Sequence, residues 1–75
     1  MRITKQLALE VKMLFEAHCL RNLNKEILRN YFNELRLEMG EDGKYYILII
    51  LKNVLPNYVT IPTEYRSLQV RTRIV

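Results

Sequence analysis

Few residues in this chain have the types that carry reactions, and their spacing limits what they could do. His18 and Cys19 are the one histidine and the one cysteine, adjacent in sequence. A thiolate–imidazole pair needs its side chains within hydrogen-bond reach, and neighbours on a helix point about 100° apart. On the helix predicted below, the two read as a core-edge histidine beside a buried thiol. No second histidine or cysteine is present to build a zinc-type site or an intrachain disulfide.

The carboxylates are scattered. Glu34 and Glu38 share one face of a predicted strand, but four residues of strand span about 13 Å, too wide for two carboxylates acting on one bond. In a helix they would come within one turn, on an exposed face. Glu41-Asp42-Gly43 lacks the spaced oxygen ligands of a calcium loop and reads as a turn. Gly40 and Gly43 are the only glycines, so no glycine-rich phosphate loop is encoded. The expectation is a non-enzymatic protein with no catalytic, metal-binding or cofactor-binding residues and no cofactor.

The remaining chemistry is that of binding. Five tyrosines accompany Arg66, Arg71 and Arg73, and aromatics beside arginines on a sheet can stack and hold a nucleic acid. Arg71 and Arg73 would lie about 7 Å apart on one strand face, near the spacing of neighbouring phosphates. Against that reading, arginines alternating on a strand also guard a sheet edge, and they could pair with Glu34 and Glu38. Those glutamates would repel phosphate. The net charge of +4 is mild, and it is evenly divided. Residues 1–38 hold seven basic and five acidic side chains, residues 39–75 five and three, so each part carries +2. No basic arm exists.

The element that must position all of this runs from Lys44 to Lys52. Seven consecutive apolar or aromatic residues, Tyr45 to Leu51, favour a strand and are too few to span a membrane. Tyr45, Ile47, Ile49 and Leu51 would line one face, and Tyr46, Leu48 and Ile50 the other. Neither face is polar, so the strand is central and needs cover on both sides.

The segment from Thr4 to about Leu20 predicts a helix with Thr4 as N-cap. Leu7, Val11, Leu14, Phe15 and His18 form its buried stripe, widened by Ala8 and Cys19. Leu9, Met13 and Leu20 fall off that stripe, leaving the helix more apolar than a solvent-facing one needs to be. Asn24 is the N-cap of a short second helix reaching about Tyr31. From Asn33 to Met39, alternation of Leu35, Leu37 and Met39 with Glu34, Arg36 and Glu38 favours a strand. A helix continued to Gly40 also fits the apolar spacing. The strand reading makes Glu41-Asp42-Gly43 a hairpin turn and gives the central strand a neighbour. After a loop around Pro56 and an extended Tyr58–Ile61 stretch, Pro62 could open one helical turn. Residues 68–75 then make a final strand, with Val70, Thr72 and Ile74 on one face and Arg71 and Arg73 on the other.

The predicted fold is a single α+β domain. Its N-terminal helix (about 4–20) and a short helix pack on a three-stranded, mostly antiparallel sheet (about 33–39, 44–52, 68–75). One helix covers one face. Tyr46, Leu48 and Ile50 would then form an apolar centre with Arg71 and Arg73 on its rim, a pattern that describes an interface. The predicted function is protein–protein binding or homodimerisation through that face, with nucleic-acid binding as the alternative. With no signal-peptide pattern and no membrane-spanning stretch, the expected location is cytoplasmic.

Overall fold

The computed structural model describes residues 3–75. Two helices come first: α1, Lys5–Asn22, and α2, Lys25–Tyr31. Four strands follow: β1, Phe32–Met39; β2, Tyr45–Leu51; β3, Glu64–Tyr65; and β4, Leu68–Ile74. The chain is therefore α+β, and the strand reading of residues 33–39 is the one it adopts.

Local chemistry sets the boundaries. The Thr4 hydroxyl accepts the Leu7 amide at 3.2 Å and opens α1. The Asn24 carboxamide accepts the Ile27 amide at 2.7 Å and opens α2. Each cap satisfies one of the amides that a helix start leaves without an intrahelical partner. Helix α2 passes directly into β1 at Phe32, where the backbone switches to extended geometry. The β1–β2 hairpin closes through the Gly40 amide, 2.9 Å from the Lys44 carbonyl, and the Gly43 amide, 3.0 Å from the Gly40 carbonyl. Gly43 sits at φ 78°, a conformation that costs a side-chain-bearing residue strain.

The strand order is β1-β2-β4-β3. β1 pairs antiparallel with β2, Arg36 lying opposite Leu48 and Glu34 opposite Ile50. β4 runs parallel to β2, with Leu48 opposite Arg71 and Ile50 opposite Arg73. The sheet is thus mixed and four-stranded, where three mostly antiparallel strands are expected from sequence. The parallel pair follows from the long connection after β2, which returns the chain to the end of the sheet where β2 began. The helical turn expected after Pro62 is instead the two-residue strand β3, which pairs antiparallel with the start of β4. Arg66, at φ 57°, makes the tight turn between them.

Helix α1 packs on the face made by Ile47, Ile49 and Leu51, and burial identifies its inner stripe. Ala8, Val11, Phe15 and Cys19 are buried there with those three residues and Leu68. That stripe is rotated from the expected one: Leu7 and His18 are only half-buried, and Leu14 is 44% exposed. The Phe15 ring meets Tyr65 edge-on, with centroids 5.2 Å apart, so the short β3 anchors against the same core.

Candidate functional site

The second sheet face is built from three strands in register. Tyr46, Leu48 and Ile50 run down its centre, Glu34, Arg36 and Glu38 flank them on β1, and Gln69, Arg71 and Arg73 flank them on β4. The five residues expected to form an interface, Tyr46, Leu48, Ile50, Arg71 and Arg73, therefore do share this face. Their exposure differs from the expectation. Leu48 and Ile50 are only 2% and 6% exposed, so the apolar centre is covered within the chain itself. Long charged side chains stand on both sides of it, and such chains lay their aliphatic stems over apolar neighbours while their heads stay in water.

The charged heads are ordered in turn. The Arg36 guanidinium lies 2.8 Å from a Glu34 carboxylate oxygen and 3.9 Å from one of Glu38. The hydrogen bond and charge of Glu34 push the Arg36 pKa up, with Glu38 adding to the effect. Arg36 thus holds the two glutamates that sequence reasoning offered to Arg71 and Arg73. Arg71 turns instead to Tyr46, its guanidinium carbon 4.0 Å from the ring centroid. That is a cation–π contact, and it takes up one face of the ring. Shallow clefts adjoin the Tyr46–Arg71 pair, one against the Gly40–Asp42 turn and one against Lys44, Ser67 and Gln69.

His18 and Cys19 are separated as their spacing requires. The Asn22 carboxamide lies 3.2 Å from His18 Nδ1 and donates to the His18 carbonyl at 2.8 Å, and the imidazole rests beside Tyr65. Cys19 is buried, and burial, then Glu16, pushes its thiol pKa up. A thiol so placed is a poor nucleophile. Among the described residues, no group of three His, Cys, Asp or Glu side chains is placed to hold a metal ion.

Two surface features lie outside the expected interface. The first is the outer edge of β1, which no strand among the described residues covers, since β1 ends the sheet. Gly40 and Lys44 make the hydrogen-bonded pair nearest the turn. By the alternation of antiparallel ladders, Glu38, Arg36 and Glu34 then face β2 with their amides and carbonyls, and Leu35, Leu37 and Met39 direct theirs outward. The Glu-x-Arg-x-Glu alternation was visible in the sequence, as was the place of residues 33–39 beside the central strand at one side of the sheet. The second feature is the outer side of α1, where Leu9, Met13 and Leu20 stand 41%, 68% and 61% exposed.

No helix among the described residues is long and apolar enough to cross a membrane. Compared with known proteins, the chain matches no family model, no curated protein and no solved structure.

Proposed function

We propose that this chain is a non-enzymatic interaction domain that binds protein, a second copy or another chain, through its sheet. The observation that carries this reading is the terminal position of β1, which leaves a row of outward amides and carbonyls beside an ordered, charged sheet face. Exposed apolar side chains on α1 add surface that a partner would cover. Tyr46, Arg71 and Arg73 are the residues of the expected interface that remain for contact, since Leu48 and Ile50 are buried within the chain.

The test is solution mass by light scattering over a concentration series, together with cross-linking in the cell that makes the protein. Self-association, or a cross-linked partner lost when Tyr46→Glu is combined with Arg71→Ala, supports the reading. A chain that stays monomeric and cross-links to nothing contradicts it. Nucleic-acid binding has weaker support in exposed Arg71 and Arg73. It requires affinity that falls steeply with salt.

A further inference from the structure

We infer that the partner at the open β1 edge is a second copy of this chain, joined antiparallel about a two-fold axis at Leu37. The inference rests on the reading of the sheet as a binding surface and names both the occupant and its register. It comes from the order of charges along the edge.

In a two-fold antiparallel pairing, each residue meets the partner residue at the mirrored position. With the axis at Arg36, Arg36 meets its own copy and Glu34 meets Glu38, so like charges oppose each other at every flanking position. Moving the axis one residue removes all of that. With Leu37 on the axis, Arg36 lies opposite the partner's Glu38, and Glu38 opposite the partner's Arg36. On the other face Leu37 meets Leu37, and Leu35 meets Met39, covering a side chain that is 56% exposed in the single chain. Opposite charges across strands and apolar pairs each favour pairing, and like charges oppose it. The outward groups of Leu35, Leu37 and Met39 are then the ones that exchange hydrogen bonds.

Shifting the axis the other way, to Leu35, sets Glu34 opposite the partner's Arg36 and also matches charge. That register must run through Asn33, where the β1–β2 pairing shifts between Phe32 and Glu34. The bulge bends the edge and interrupts its regular pleat. From Glu34 to Met39 the strand keeps step with β2, and the Leu37 axis uses only that part. The other open edge, the part of β4 beyond its two-residue pairing with β3, is a poorer partner. Antiparallel pairing that sets Glu34 or Glu38 of β1 against Arg71 or Arg73 of β4 brings Arg36 opposite the remaining arginine, or leaves a single matched pair. The symmetric pairing closes on itself and joins two four-stranded sheets into one continuous sheet.

Charge reversal and its rescue test both occupant and register, read as dimer dissociation constants by sedimentation in low salt. Arg36→Glu is expected to weaken association at least tenfold. Combining Arg36→Glu with Glu38→Arg restores opposite charges across the Leu37 axis and is expected to recover the wild-type constant. Combining Arg36→Glu with Glu34→Arg serves only the Leu35 axis and is expected to leave the chain monomeric. Rescue cannot arise from a variant that fails to fold, so recovery by the first pair alone supports the proposal. Recovery by the second pair, or a dimer indifferent to Arg36→Glu, overturns it. A wild-type chain that is monomeric throughout also overturns it, while a different cross-linked protein would leave the broader reading of an interaction domain standing.

Discussion

At the scale of single residues, Phe15 is among the largest fully buried side chains, with Ile47 and Ile49. It is fully buried between α1 and the sheet and meets Tyr65 edge-on at 5.2 Å. Removing a buried phenylalanine ring costs about 3–5 kcal/mol. A chain of 75 residues has a total stability of about 4–11 kcal/mol at the usual per-residue value. Phe15→Ala is therefore expected to remove a large share of the stability, lowering the thermal midpoint by circular dichroism by more than about 10 °C. Retention of a sharp transition within a few degrees of wild type would show that the core does not depend on this contact. Leu14, one residue before it and 44% exposed, is the contrast: truncating it should cost well under half as much.

At the scale of elements, capping decides where the helices start. The Asn24 side chain is 2.7 Å from the Ile27 amide, and α2 has only 7 residues over which to distribute that gain. Asn24→Ala is expected to cost about 1 kcal/mol in urea unfolding, and Asn24→Gly only a few tenths. Equal losses for the two would remove the cap from the account. Both caps, the hairpin turn and the apolar run of β2 were legible in the sequence because each is written in neighbouring residues. Thr4 and Asn24 are cap residues, Gly43 supplies the turn, and Tyr45–Leu51 has no polar side. The two-residue β3 was not legible, since its existence depends on pairing with Gln69 and Leu68 rather than on its own composition. The parallel sense of β4 was likewise hidden, because residues 68–75 alternate in the same way whichever direction they run. The buried stripe of α1 was displaced for a related reason. Leu14 and Phe15 are equally apolar choices for its centre, and only the position of the sheet selects Phe15.

At the scale of the whole molecule, the sequence located a face but misjudged its cover. Tyr46, Leu48, Ile50, Arg71 and Arg73 do lie together, yet Leu48 and Ile50 are already buried within the single chain. Alternation assigns residues to faces. It does not say how much of a face the rest of the chain covers. The expected sheet lacked only β3 and the parallel sense of β4. β1 ends the sheet in the expected order as in the observed one, and its Glu34-Arg36-Glu38 series runs along that open edge. The most direct measurement of this account is amide hydrogen exchange, residue by residue, at low and high protein concentration. The amides of Glu34, Arg36 and Glu38, which face β2, should be protected at both concentrations. Those of Leu35, Leu37 and Met39 should exchange freely when dilute and become protected as copies pair. Outward amides that exchange at one unchanged rate while the chain associates would place the contact elsewhere and contradict the account.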